Sequence, residues 1–314
     1  MKLKKRYGSG GYLINKVWVD TGSYTGKDVY SDGSIEDEIL EIVKNGKERE
    51  AVACDGRWPI LYHLSNTREN LLNWFEFSRD ASVLEVGMGC GAITGLLCRN
   101  VKKVETVEIS PRRAEIAAWR HNRHKNLCIH VGNLNDIEFG QKFDYLTLIG
   151  VLEYAGTFTH TDAPYKDFLE NCRTHLKPGG MLLLAIENRL GLKYWSGARE
   201  DHTGRLFDGI MNYPENNGIR TFAKPELEAL LHSSGYRELE WYYPFPDYKL
   251  PYRVFSDDYL PRAGDIRGNM YLYYDQPKYD LFEEDRAMDG IIQSGLFDIF
   301  SNSFLVCCKN GGTL

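Results

Sequence analysis

Ser82-Val83-Leu84-Glu85-Val86-Gly87-Met88-Gly89-Cys90-Gly91 is a buried-strand pattern running straight into a glycine loop. The aliphatic, β-branched run Ser82–Val86 predicts a strand, and the apolar stretch over 92–100 predicts the helix that follows the loop. Glycines at Gly87, Gly89 and Gly91 permit a tight turn and a close approach of the backbone to a ligand. Their spacing is Gly-x-Gly-x-Gly rather than the Gly-x-Gly-x-x-Gly of dinucleotide sites. Glu85 adds a carboxylate just before them, which would repel a pyrophosphate and attract a cationic ligand.

Working outward, short apolar runs alternate with amphipathic helices. A second strand is predicted over 104–109, a helix opened by Pro111 to about 124, and a third strand over Leu127–Val131. A fourth strand follows over 145–149 and a helix over 165–176. Lys177-Pro178-Gly179-Gly180 is expected to stop that helix before a fifth strand over 181–186. This βαβα order predicts a mostly parallel sheet with helices on both faces. Later come a helix over 224–234, a strand over 238–243 and a last strand over 304–308. Upstream, residues 1–56 are polar and weakly patterned apart from a helix at Ile35–Lys44. Residues 58–77 read as a helical entry segment, with Ser65 or Asn66 capping its second part.

The strand ends carry the chemistry. Glu108, 23 residues beyond Glu85 and followed by Ile109, can accept hydrogen bonds from two ribose hydroxyls. In His130-Val131-Gly132-Asn133-Leu134, Asn133 can accept from an adenine amino group and the Leu134 amide can donate to the ring. Gly150, in Gly150-Val151-Leu152-Glu153-Tyr154, lies at the crevice edge where ligands bind open α/β sheets. Tyr62 and Arg68 are lid candidates, with Arg68 available to a ligand carboxylate.

These segments, together with Phe143-Asp144 and the turn at 176–180, resemble in order the motifs of class I S-adenosylmethionine-dependent methyltransferases. The resemblance covers about residues 80–245, and the strand near 304–309 is similar to that family's antiparallel seventh strand. It implies a Rossmann-like, seven-stranded fold with S-adenosylmethionine as cofactor. Glu85 and the glycines would hold its methionine end, Glu108 and Ile109 the ribose, and Asn133 with Leu134 the adenine. Many family members carry Asp where Asn133 stands; Asn keeps the acceptor oxygen, and Asp136 is close by. The implied organisation is an N-terminal extension and cap helix (1–79), the cofactor-binding domain (80–245 with 301–314), and an inserted acceptor-side cap (246–300).

Transfer from a sulfonium needs an aligned nucleophile, with a base only where the acceptor loses a proton. Glu187 at the end of strand five, and His202 oriented by Asp201, are the candidates, with His160 and Tyr154 behind them. The Asn/Asp-Pro-Pro-Tyr/Phe signature of base-modifying amino methylases is absent after strand four. The tyrosines of the insertion (Tyr242, Tyr243, Tyr248, Tyr252, Tyr259, Tyr271, Tyr273, Tyr274, Tyr279) offer flat faces for sugar rings. The patterns around 62–74, 201–204 and 243–248 resemble methyltransferases of bacterial surface-polysaccharide assembly. The expected reaction is O-methylation of a sugar or glycan precursor or small metabolite; no residue is assigned as a metal ligand, and a metal requirement is left open. A non-catalytic cofactor sensor or scaffold, or a protein or RNA methylase, is the alternative.

Composition narrows the partners. A formal charge of −6 opposes a broad nucleic-acid footprint. The pairs Lys102-Lys103 and Arg112-Arg113 read as solvated surface charge. No apolar run reaches the roughly 18 residues of a membrane span. The seven scattered cysteines include no Cys-x-x-Cys pair, and a cytoplasmic setting is expected. The oligomeric state is left open.

Overall fold

The computed structural model describes residues 10–215, 218–270 and 276–311. Among them are β1 (Tyr12–Ile14), β2 (Val17–Asp20), β3 (Ser82–Val86), β4 (Lys103–Glu108), β5 (Leu127–Val131), β6 (Phe143–Ile149), β7 (Leu176–Glu187), β8 (Tyr236–Phe245), β9 (Arg253–Ser256) and β10 (Ser303–Asn310). Hydrogen-bonded neighbours follow the order β1-β2-β5-β4-β3-β6-β7-β10-β8-β9. β2, β5, β4 and β3 pair in parallel, whereas β10 runs antiparallel to both β7 and β8. The Rossmann-like α/β class and the reversed last strand are therefore as the sequence predicts.

The strand count differs: there are ten strands among the described residues, not seven. Two come from the supposedly unpatterned N-terminus. Asn15, at φ 51, closes a two-residue turn between Ile14 and Val17. β2 then adds to the edge of β5 and fully buries Val17 and Val19. The third is β9, a hairpin partner of β8 inside the expected irregular insertion. That insertion also holds helices Glu284–Gln293 and Phe297–Phe300. Tyr271, Tyr273 and Tyr274 lie outside the described residues. Lys177-Pro178-Gly179-Gly180 forms part of β7 rather than a stop before it. The entry segment divides into helix Trp58–Leu64 and a 3-10 turn Asn66–Leu71, with Ser65 Oγ accepting from the Thr67 amide at 3.2 Å.

The chain forms two compact units. The first comprises Met1–Thr147 with His175–Gly180, the second Leu148–Thr174 with Met181–Leu314. In the first unit β3 is buried along its whole length. Ile39, Leu40, Val43, Ile60, Leu64, Cys90 and Ile116 form one apolar cluster that packs the helices Ile35–Lys44 and Trp58–Leu64 on Pro111–Arg120. Each such side chain contributes about 1.5–3 kcal/mol when fully buried. Ser110 caps the Pro111 helix, its Oγ accepting from the Arg113 amide at 3.4 Å. In the second unit Leu182, Leu183, Leu184, Ala185 and Ile186 of β7 are all fully buried, as are Phe304, Leu305 and Val306 of β10.

Candidate functional site

In the first unit the glycine loop is pinned by its own backbone and by Glu108. Gly87 donates to the Val107 carbonyl at 2.8 Å, tying the start of the loop to β4. Glu108, which ends β4, accepts from the Gly89 amide at 2.7 Å and from the Ser110 amide at 2.9 Å. Gly132 in turn donates to the Glu108 carbonyl at 3.0 Å, so three strand ends lie side by side. Gly87, Gly89 and Gly91 have φ of 71, 55 and 77°, a region costly for any residue with a Cβ. A Cβ added at Gly89 would meet nothing within 4 Å, whereas one at Gly91 would strike His121 Nε2 at 2.8 Å. Gly89 thus borders open space and Gly91 serves packing. His121 is neutral, its pKa pushed down to about 3 by burial, and its Nε2 hydrogen bonds the Gly91 carbonyl at 2.7 Å.

Glu85 is buried and accepts from Thr94 Oγ1 at 2.7 Å. Burial, reinforced by the charge of Glu108, pushes its pKa up to about 7. Burial also raises Glu108, against the pull of Arg113 and the two amide hydrogen bonds. Asn133 caps the 3-10 turn Leu134–Asp136, its side-chain oxygen accepting from the Asn135 amide at 3.0 Å, and Leu134 is buried. Ile109, following Glu108, is half-buried. Tyr62 and Arg68 also fall in the first unit, with the guanidinium carbon 4.3 Å from the tyrosine ring centroid. Gly150 falls in the second unit. Its φ is 68°, and a Cβ there would meet the Tyr248 hydroxyl at 2.7 Å.

The second unit gathers a buried ionic cluster. Glu187 ends β7, Glu153 stands in the 3-10 turn Leu152–Tyr154 just after β6, and His202 lies in a turn between them in space. His202 Nε2 is 3.5 Å from Glu153 Oε1 and 3.9 Å from Glu187 Oε2. Its Nδ1 is 3.0 Å from Glu200 Oε1. Glu200 also takes the amides of His202 and Thr203, at 2.8 and 2.7 Å, and the Tyr213 hydroxyl at 3.1 Å. Tyr213 itself holds a left-handed backbone, φ 53°, fixed by its hydroxyl, which accepts from the Thr221 amide at 3.1 Å.

The residue that orients His202 is therefore Glu200 and not its neighbour Asp201. Asp201 accepts from Lys193 Nζ at 2.7 Å and the Tyr194 hydroxyl at 2.6 Å, with Lys249 Nζ at 3.4 Å. Asp247 takes the other side of the Lys193 ammonium at 2.8 Å. Lys249 Nζ lies 2.5 Å from Glu187 Oε1, which also accepts from the Tyr248 hydroxyl at 3.2 Å. The remaining oxygens, Glu153 Oε2 and Glu187 Oε2, are buried without a hydrogen-bond partner.

Electrostatics follow from this crowding. Burial pulls the His202 pKa down, but the neighbouring carboxylates of Glu187, Glu153 and Glu200 outweigh it and hold the imidazole well above its usual range. Burial and the charge of Glu187 raise Glu153. Asp201, despite burial, is held far below the usual carboxylate range by Lys193 and Lys249. Of the tyrosines singled out in the sequence, Tyr243 of β8 and Tyr248 of the insertion are buried, while Tyr252, Tyr259 and Tyr279 are more than half exposed. Reading the sequence passed over Glu153, Lys193, Glu200 and Lys249. The available signal was position, because Glu153 and Glu187 both stand at the carboxyl ends of successive strands.

A family described as methyltransferase domain matches residues 84–182. The dTDP-4-amino-2,3,4,6-tetradeoxy-D-glucose N,N-dimethyltransferase of Saccharopolyspora spinosa is 29% identical over 173 residues, covering 49% of this chain and 67% of that protein. The demethylmenaquinone methyltransferase of Tropheryma whipplei is 33% identical over 103 residues, covering 32% of this chain and only 40% of that protein. Phosphoethanolamine N-methyltransferase 1 of Haemonchus contortus, solved with phosphoethanolamine and S-adenosylhomocysteine, shares the fold. Its TM-score is 0.50 at 12% identity, over 90% of this chain and 51% of that one.

Proposed function

We propose that the chain is a class I S-adenosylmethionine-dependent methyltransferase that O-methylates a hydroxyl of a sugar or glycan precursor, a reading supported by the methyltransferase-domain match over residues 84–182 and by likeness to a sugar methylase. The cofactor's chemistry is a methyl group on a sulfonium, given up by in-line displacement. The residues suit it. Open space over Gly89 leaves the loop accessible, and Glu85 supplies a carboxylate for the positive methionine end. Glu108 and Ile109 border the ribose position and Asn133 with Leu134 the adenine position; Tyr62, Arg68 and Gly150 remain candidates for the periphery.

The acceptor end in this reading is the cluster of Glu153, Glu187, Asp201 and His202, joined by side chains of the insertion that follows β8. The observation that carries it is the pair of buried, unpartnered carboxylate oxygens beside His202, at the carboxyl ends of β6 and β7. Such oxygens are costly unless a donor arrives, and a sugar hydroxyl is one. Asp247, Tyr248 and Lys249, all from the insertion, complete the cluster, which supports the assignment of the cap. Likeness to an amino-sugar dimethylase supports a sugar acceptor and makes N-methylation the second reading.

The test incubates the protein with methyl-labelled S-adenosylmethionine and separate pools of nucleotide sugars and glycan precursors, followed by mass and NMR analysis of labelled products. An O-methyl sugar is expected. An N-methyl product selects the second reading, and cofactor binding without transfer to any pool leaves a sensor or scaffold instead.

A further inference from the structure

We propose that Glu153, Glu187 and His202 hold a divalent first-row transition ion, of the Mn2+ or Zn2+ kind, at the end of β7. One ligand atom from each lies within 4.8 Å of the others. The two His–carboxylate separations, 3.5 and 3.9 Å, are long for hydrogen bonds. They approach the edge of about 3.3 Å expected between ligands on bonds of roughly 2.0–2.1 Å to a tetrahedral ion.

Three independent features prepare these atoms. First, Glu153 Oε2 and Glu187 Oε2 are fully buried and lack any hydrogen-bond partner, on residues 1% and 0% exposed. Secondly, the Nδ1–H of His202 is directed to Glu200, which fixes the ring and turns Nε2 toward the two carboxylates. A carboxylate behind the far nitrogen is the usual support of a metal-bound histidine. Thirdly, Lys249 and Tyr248 occupy Glu187 Oε1, leaving Oε2 as its open atom.

The charge is also in deficit. With an ion on His202 Nε2 in place of its proton, the buried Glu153, Glu187, Glu200 and Asp247, together with the partly exposed Asp201, are offset among the described residues by the ammonium groups of Lys193 and Lys249. A dication brings the cluster within one charge of neutrality. The mixed donor set, one imidazole nitrogen and carboxylate oxygens, selects manganese or zinc over calcium. Three protein ligands leave positions open for an acceptor oxygen, the arrangement of catalytic rather than structural sites. Only that last point rests on the acceptor reading proposed above, and with an ion in place the acceptor hydroxyl meets the ion instead of Glu153 Oε2 and Glu187 Oε2 directly; ion binding itself does not depend on that reading.

The experiment uses the full chain, stripped with chelator, and titrates Mn2+ or Zn2+ alone by calorimetry, with the imidazole nitrogen coupling of bound Mn2+ read by electron spin-echo spectroscopy. One saturable site per chain with nitrogen coupling is expected. Glu153→Gln and His202→Ala should each weaken binding at least tenfold, and Glu200→Gln by about 10- to 100-fold with the nitrogen signal altered. Retained binding of S-adenosylmethionine reports that each variant is folded, and Glu187→Asp, which draws the ligand oxygen back, is the further variant where one of these does not fold. No saturable site in the wild type, or unchanged affinity in folded Glu153→Gln and His202→Ala, overturns the proposal. Since no acceptor or turnover enters the measurement, its failure is distinct from failure of the sugar assignment.

Discussion

Glu85 is buried, and among the described residues the Thr94 hydroxyl is its one hydrogen-bond donor. With its pKa near 7, the ligand-free protein carries it largely protonated below that value. A cationic methionine end binds the ionised form, so cofactor affinity should rise as pH increases through about 7. Calorimetry across that range checks it; Glu85→Gln should flatten the profile, and a pH-independent affinity in the wild type would contradict the assignment. The sign for stability is the opposite. A carboxyl raised in the folded state favours folding below its unfolded value, and that contribution is lost as pH climbs from about 4.5 to about 7, by roughly 3 kcal/mol. The ligand-free protein should therefore melt lower at the upper end of this window than at its middle, and Glu85→Gln should reduce that loss. Glu108 behaves differently, since two backbone amides already engage it. Glu108→Ala removes charge-assisted hydrogen bonds of about 1.5–3 kcal/mol and should weaken the cofactor about 10- to 100-fold by calorimetry; equal affinity would remove it from the ribose position.

At the scale of elements, the glycine loop separates packing from binding. Gly91→Ala drives a Cβ into His121 and imposes a left-handed backbone on alanine, so about 1–3 kcal/mol of stability should be lost in denaturant unfolding. Gly89→Ala meets no neighbour and pays mainly the backbone strain of about 1–2 kcal/mol, but its methyl stands in the open space, so its larger effect should be on cofactor affinity. Reversal of that ranking would mean that the ligand does not approach Gly89. This loop and the strands β3 to β6 were legible in the sequence because each strand is a short segment rich in β-branched and apolar residues, with a glycine or carboxylate at or just beyond its end. β1 and β2 were not, because strands of three and four residues carry no period, and Val17 and Val19 are buried only by pairing with β5. The acceptor-side cluster was half legible. Glu187 and His202 stand out by position and residue type, but Glu200 and Asp201 are adjacent carboxylates that the sequence cannot tell apart. Which one meets the imidazole is decided by the turn that Tyr213 holds from a distance.

At the scale of the molecule, the −6 charge acts through pairing as much as through its total. The pairs that looked like free surface cations are largely engaged. Arg113 is buried against Glu36 and Asp32, at 2.8 and 2.9 Å, and Arg112 pairs with Asp37 at 2.8 Å. Lys103 Nζ lies 2.8 Å from Glu105. Reading all four residues as solvated charge is thus corrected at Arg113, a residue of the Pro111 helix that is 6% exposed and pairs with Glu36 and Asp32 of the N-terminal segment. Cations held this way release no counterions on meeting a phosphate backbone, because their own carboxylates already neutralise them. Non-specific affinity for nucleic acid should accordingly be weak and should show a shallow dependence on salt. Labelled cofactor incubated with a cell lysate and this protein should leave nuclease-sensitive material unlabelled, with the methyl group in the small-molecule and glycan fractions. Label that nuclease releases, together with steeply salt-dependent binding to single-stranded RNA, would return a nucleic-acid acceptor to the front and displace the sugar.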